Sequence, residues 1–537
     1  MDAAPLPRLI AALRNPARYP HPADEIEVIE THISVVVLAG DFAYKLKKPV
    51  DFGFLDFRTL AARKHFCDEE VRINLRTAPQ FYLHVVALRG MPEAPRFDGT
   101  GPIIEYAVRM RRFPQDALLD RLAKRGALDV AMAATLGAEI AAFHAIATRA
   151  DTTSAFGRPD AVLAPAMQNF SQMLALAMDA TTNERLTWLR DWTQRAFDRL
   201  SPVVEARQRA GFVRECHGDL HLGNIAWIDH APVLFDAIEF NPGLRWIDAM
   251  SDVAFVTMDL LDHGLAPQAA CCLDAYLQAT GDFAGVTILR FHMVYRAMVR
   301  AKIATLRAHQ SDVVPKDHAR LDDECAAYLY LAHRVARDSR PALVLMHGLS
   351  GTGKSVVAGA LMARLGAIRV RSDVERKRLH GLAATARSGS ATGDGLYTAA
   401  ASEETYIRLL EVAQTVLEAG WPVVVDAAFL RSVDRARFLA LAGSLDVPCA
   451  IVACHAPEAV LRERIARRAA AGSDASEAGI EVLANQIASE EPLTATERPW
   501  TVEVDTTRED LVRDLMRIAA RLRGRDDATA ADDLAGD

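Results

Sequence analysis

The sequence predicts two unlike halves, an α+β region in which a small sheet precedes long helices, followed by an α/β region built on a parallel sheet. Three observations carry this reading. Short β-rich runs crowd residues 26–88, long amphipathic stretches dominate from Asp116 to about Ala336, and beyond Pro341 buried-type strands alternate with helical segments. That last pattern marks βαβ units with both sheet faces covered.

In order, EVIETHIS, VVVLAGD and FAYKLKK read as strands, with a Gly-Asp turn between the second and third. A helix rich in Arg, Glu and Leu spans about Thr59 to Arg76, and YLHVVAL and IIEYAVRM add two more strands. LGAEIAAFHAIA and ERLTWLRDWTQRAFDRL are amphipathic helices, interrupted by one β-loop-β segment between Val213 and Phe240. The basic, polar run RVARDSR ending at Pro341 separates a first domain, 1–336, from a second, 341–525, through a linker at 337–340. The second domain's strands are ALVLMHG, IRVRSD, PVVVDAAF, PCAIVACHA and WTVEVDTT, and residues 526–537 read as a disordered acidic tail.

At 537 residues the chain has room for several domains of about 150 residues. Half of the residues are hydrophobic and 25% are charged, a globular composition. The net charge of −8 argues against a general nucleic-acid coat. Apolar runs such as Ile33 to Gly40 are far shorter than the about 20 residues a membrane helix needs. The opening MDAAPLPRLIAALRNPARYP has Arg inside its apolar stretch and does not read as a secretory signal, so a cytoplasmic protein without membrane attachment is expected. Seven cysteines, with no CxxC spacing, read as reduced core thiols.

Gly348-Leu-Ser-Gly-Thr-Gly-Lys354-Ser355 matches the phosphate-loop pattern G-x-x-x-x-G-K-[ST] between a hydrophobic strand and a helix-forming run. Its backbone N–H groups, those of Ser350, Gly351, Thr352 and Gly353 included, would cradle phosphate; Lys354 would reach the β and γ oxygens, and the Ser355 hydroxyl would ligate Mg²⁺. Acceptor chemistry belongs at the carboxyl ends of neighbouring strands. There Asp373, one helical turn before Arg376, is a candidate general base, or else it or Ser372 caps the next helix. Asp426 ends another strand, as a metal or acceptor ligand or as a turn residue. Arg464 and Arg468, four apart, share a helix face and could clamp a phosphoryl group as a lid, although a solvated arginine helix would look the same. Together these elements resemble the P-loop kinases related to polynucleotide 5′-kinases, gluconate kinases and zeta toxins. The resemblance implies an α/β P-loop NTPase domain and phosphoryl transfer from ATP to a hydroxyl.

In the first half, CHGDLHLGNIAWIDHAPVLFDAIEF contains His217-Gly-Asp219-x-His221-x-x-Asn224 and then Asp236 at a strand end. The five-residue spacing from Asp219 to Asn224 is that of a catalytic loop in which one residue faces the acceptor hydroxyl and the other faces metal. This segment resembles aminoglycoside phosphotransferases and choline kinases, implying a protein-kinase-like (aminoglycoside phosphotransferase-like) α+β domain. On that resemblance Asp219 is the base, Asn224 and Asp236 hold Mg²⁺, and Asp252 buttresses the loop. Lys45 would position ATP, paired with Glu70. Lys47 shares the strand face of Lys45, and Glu69 neighbours Glu70, so both stay as competitors. His217 and His221 read as residues stapling the loop through backbone hydrogen bonds.

One departure stands out: the turn IETHIS, where the kinase pattern carries glycines over the phosphates, has none. The order of the two halves resembles bacterial bifunctional aminoglycoside phosphotransferase and ATP-binding proteins over nearly the whole chain. The expected activity is therefore a tandem ATP-dependent kinase acting on small-molecule hydroxyl groups. The alternative is a P-loop kinase or ATPase regulated by a non-catalytic kinase-like module. A nucleic-acid acceptor for the second domain would need a basic channel beyond Arg371, Arg376, Lys377 and Arg378.

Overall fold

The structure, a computed structural model, describes residues 5–31, 33–51, 53, 55–176, 179–309, 315–384, 386, 398–471, 479–508 and 511–522. The tail expected at 526–537 lies outside them. The fold class is the one the sequence predicts: an α+β protein-kinase-like half, then an α/β P-loop half with a parallel sheet.

The first sheet is antiparallel and six-stranded: β1 (Ile26–Glu30), β2 (Ser34–Ala39), β3 (Phe42–Lys47), β4 (Tyr82–Met91), β5 (Ala94–Phe97) and β6 (Ile103–Arg111), in the order β1-β2-β3-β6-β4-β5. Alternation along β3 sorts its side chains. Tyr44 and Leu46 join Val35, Val37, Leu88 and Ala107 in a core that also takes Leu9 and Leu13 from the opening helix Pro5–Leu13. Lys45 and Lys47 point the other way, to the helix Leu60–Asn74 and its Glu70. Thr59 caps this helix by accepting from Ala62 N, a contact worth about 1 kcal/mol. At its other end Asn74 accepts from Ala237 N, tying the helix to the chain just after Asp236.

Four short strands frame the catalytic segment: β7 (Val213–Glu215), β8 (Ile225–Ile228), β9 (Ala231–Leu234) and β10 (Trp246–Asp248). β7 pairs with β10, and β8 with β9 through a two-residue turn, Asp229-His230, with both residues at positive φ as a tight hairpin demands. This hairpin sets Asn224 just before β8 and Asp236 just after β9.

The second sheet is parallel, with β11 (Leu343–His347), β12 (Ile368–Arg371), β13 (Val423–Asp426), β14 (Cys449–His455) and β15 (Thr501–Asp505) in the order β12-β13-β11-β14-β15. Val344, Val424, Val452 and Val504 pack with Val357 and Leu361 of the helix Lys354–Leu365 and Ile518 of the helix Leu511–Leu522.

The described residues form two compact units. The first comprises the chain up to Leu128, Ala142–Gln172 and Phe197–Asp259, and the second comprises Asp129–Ala141, Met173–Ala196 and the chain from Leu260. The change in texture at 337–340 thus falls inside the second unit. Within it the helices Ala266–Thr280 and Val286–Ala308 pack on the parallel sheet's surroundings. Asp274 pairs with Arg369 of β12, Trp421 Nε1 donates to Val286 O at 3.2 Å, and the Arg290 guanidinium lies 4.6 Å from the Trp421 ring.

Candidate active sites

The first site is built around a loop whose backbone is bonded by two buried acids, Asp252 and Asp259. Asp252, in the helix Ala249–Asp262, accepts from His217 N at 2.7 Å and from Gly218 N at 2.9 Å. Burial holds the His217 imidazole below its usual range and so neutral, with Nε2 bonded to Phe235 O and Nδ1 accepting from Asp219 N. His221 Nδ1 accepts from Gly223 N, so both histidines staple the loop to itself. Asn224 Nδ2 donates to the Asp219 carbonyl at 2.9 Å and to its Oδ2 at 3.0 Å, which fixes the direction of a carboxylate whose side chain is 35% exposed.

Asp236, at φ +63, turns its carboxylate to Lys45 Nζ at 2.5 Å. Lys45 also meets Glu70 Oε1 at 2.8 Å, while Glu70 Oε2 lies 2.7 Å from Lys47, which in turn contacts Glu239. Burial alone would raise the Glu70 carboxyl, but the Lys45 and Lys47 charges outweigh it and hold it down to about 2. Lys45 is the lysine that reaches Asp236, whereas Lys47 is sealed between two glutamates. Glu69 turns outward to Arg72 and Arg245. Sequence reasoning missed Glu239, although its place three residues after Asp236 puts it on the same loop.

In the second site the phosphate loop leaves β11 as a tight cradle. Gly348 and Gly351 sit at φ +133 and +86, and a Cβ on either would stand 2.3 Å from Cys454 O or 2.8 Å from Leu461 O. Lys354 folds back onto its own loop, donating to Leu349 O at 2.7 Å, and burial lowers its pKa. The Thr352 hydroxyl also donates to Leu349 O, and Ser350 N donates to Gln486 Oε1 at 2.8 Å. Gln486, from the helix Ile480–Ser489, was not singled out in the sequence; it sits on no recognisable motif.

Ser355 Oγ donates to Asp426 Oδ1 at 3.2 Å, while Asp426 Oδ2 is buried without a hydrogen-bond partner and has Arg371 at 3.8 Å. Burial pushes the Asp426 carboxyl up. A hydroxyl beside an under-coordinated buried carboxylate is a donor set suited to a hard divalent cation. A cavity of about 630 Å³ opens over these groups and is lined also by Asp373, Arg376 and Arg468. Asp373 lies 3.4 Å from Arg376. The helix Ser372–Leu379 has Arg371 at its cap position and no side-chain cap bond, so neither Ser372 nor Asp373 caps it. Arg464 donates to Thr506 Oγ1 at 2.8 Å and to Gly351 O at 3.3 Å, and both Arg464 and Arg468 line the cavity.

A protein of Mycobacterium tuberculosis, "Uncharacterized protein Rv2004c", is 31% identical to the chain over 460 residues, 85% of this chain and 89% of that one. The chain belongs to its family. A Mycobacterium bovis member, "Uncharacterized protein Mb2027c", matches to the same extent. In the chain's second half, residues 343–493 match the AAA domain family AAA_33. Among solved structures, a gluconokinase from Sinorhizobium meliloti 1021 is 24% identical, covering 35% of this chain and 95% of its own at a TM-score of 0.26. A choline/ethanolamine kinase family protein from Mesorhizobium loti is 11% identical, covering 60% and 99% at a TM-score of 0.36. Among the described residues no helix is long and apolar enough to cross a membrane.

Proposed function

We propose that the chain is an ATP-dependent phosphotransferase with two active sites on two folds, each transferring the γ-phosphoryl group of ATP to a hydroxyl of a small molecule. The observation that carries the reading is Lys45, held between Glu70 and Asp236 beside an Asp219 carboxylate that Asn224 orients. A positioned cation, a metal-type carboxylate and a directed base are the parts that phosphoryl transfer requires. Mg²⁺, when bound, neutralises charge on the phosphate oxygens; Asn224 with Asp236, and Ser355 with Asp426, are the residues that would hold it. Asp219 and Asp373 each take the proton of an attacking hydroxyl. Lys45 and Lys354 hold phosphate oxygens, and Arg468 adds positive charge over the second site.

The test is a metabolite-extract screen with γ-labelled ATP on the wild type, Asp219→Ala and Lys354→Ala. Two activities, each lost in one variant, support the reading; an unchanged product pattern in both variants sinks it. A second reading, in which only the P-loop half turns over, is favoured by the glycine-free turn between β1 and β2. It predicts that Lys354→Ala abolishes all transfer.

A further inference from the structure

Besides the phosphate cradle, the cavity of the second site carries two acid–arginine pairs. Asp373 and Arg376 lie 3.4 Å apart, and Asp434 and Arg431 lie 3.6 Å apart at the start of the helix Ser432–Ser444. Both pairs belong to one neighbourhood, because the charges of Asp434, Arg376 and Asp373 all act on the hydroxyl of Tyr406. Asp434 is 2% exposed, its Oδ1 has no hydrogen-bond partner, and 3.6 Å from Oδ2 to Arg431 is too long for a hydrogen bond. A buried carboxylate oxygen left in that state requires a donor.

The pairing limits what that donor belongs to. Both of these arginines stand beside an acid, as Arg371 does beside Asp426. The other lining cations are engaged elsewhere, Lys354 and Arg464 on the phosphate loop, Arg468 beside Lys354 and Arg508 beside Asp505, so an anionic substituent at Asp434 would meet a carboxylate with no surplus cation next to it. A hydroxyl has one donor and two lone pairs, so it fits between a carboxylate and a guanidinium, donating to one and accepting from the other. Among the described lining residues Tyr406 is the one aromatic, and its hydroxyl accepts from Phe429 N at 3.0 Å. A nucleobase would call for an aromatic face to stack on.

We propose that the acceptor of the P-loop site is a small neutral polyol or sugar, with one hydroxyl at Asp373 and a second donating to Asp434. This rests on the kinase reading of that half. The Asp373-bound oxygen attacks the γ-phosphorus, a new P–O bond forms, the bond to the β–γ bridging oxygen breaks, ADP leaves, and the hydroxyl proton goes to Asp373.

The test uses the full chain carrying Asp219→Ala, γ-labelled Mg-ATP, and sorbitol, xylitol, glucose and ribose against gluconate and a 5′-hydroxyl oligonucleotide. Transfer to a neutral compound is expected with kcat/KM at least about tenfold above that for the acid or the oligonucleotide. Adding Asp434→Asn should raise KM for that compound about tenfold or more while leaving KM for ATP within about twofold. Preference for gluconate or the oligonucleotide overturns the proposal while leaving the kinase reading standing. So does a lack of transfer to any neutral compound when ATP still binds in a Lys354-dependent way. Absence of that binding overturns both.

Discussion

Arg369 Nη2 lies 2.6 Å from Asp274 Oδ2, and this ion pair joins the edge strand of the parallel sheet to the helix Ala266–Thr280. Gln278 of the same helix donates to Arg369 O at 2.8 Å, and Arg369 Nη1 reaches the carbonyl of Ser355 at 3.5 Å. A helix that precedes the texture change at 337–340 therefore supports the strand leading to Asp373 and the backbone of the phosphate-loop serine.

Arg369→Ala should lower stability by about 1.5–3 kcal/mol, since it strands an Asp274 side chain that is 9% exposed. Urea denaturation of the full chain measures this. A change within error would mean that the pair is a surface contact of little worth.

Asp373→Asn should cut transfer at the P-loop site by about 100-fold or more while leaving ATP affinity nearly unchanged, because a general base acts on the acceptor. With no side-chain capping bond in its helix, the structural role of Asp373 is limited to its pair with Arg376, worth about 0.2–0.5 kcal/mol, too little to confuse the result. Single-turnover rates beside calorimetric ATP affinity decide the matter, and a loss of only a fewfold would remove Asp373 from the reaction.

Glu70 gives a pH signature. Its folded pKa is depressed to about 2, so its contribution to stability is present above the unfolded value and lost as pH falls through the folded one. Glu70→Gln should cost about 3 kcal/mol at neutral pH, as it leaves two buried lysines under-compensated. The gap to the wild type should begin to narrow only below about pH 4.3, the ordinary glutamate value. Urea midpoints from pH 7 to 3.5 test this, and a gap that widens on acidification would mean that Glu70 is not ion-paired.

The reach of the sequence follows from what each feature depends on. The phosphate loop, the HGD segment, the helix after Thr59 and the shared face of Lys45 and Lys47 are local patterns, and each occupies the expected element. The choice between the two lysines was not local: it turns on Asp236 and Glu239, about 190 residues away. β5 and β10 were missed because APRF and WID carry no alternation and are strands only through their partners β4 and β7. Asp434 and Gln486 sit on ordinary helices, and only the closing of the cavity brings Gln486 to the phosphate loop and Asp434 into the cavity wall.

At the first site the two functional readings part at Asp219 and Asp236. Asp219 lies with Asn224, whereas Asp236 is the group that Lys45 holds, so the two acids should fail differently when removed. Asp219→Ala takes away the base and leaves the cation and the metal-type carboxylate, so in a Lys354→Ala chain it should abolish acceptor phosphorylation with ATP affinity within about twofold. Asp236→Ala removes that carboxylate and unpairs Lys45 on one side, so ATP affinity itself should fall at least about tenfold and lose its dependence on Mg²⁺. The glycine-free turn after β1 argues for slow transfer, which makes affinity the more robust readout of the pair. If the Lys354→Ala chain neither binds Mg-ATP nor phosphorylates any compound in an extract, the first half is a regulatory module and the glycine-free turn is the feature that marked it.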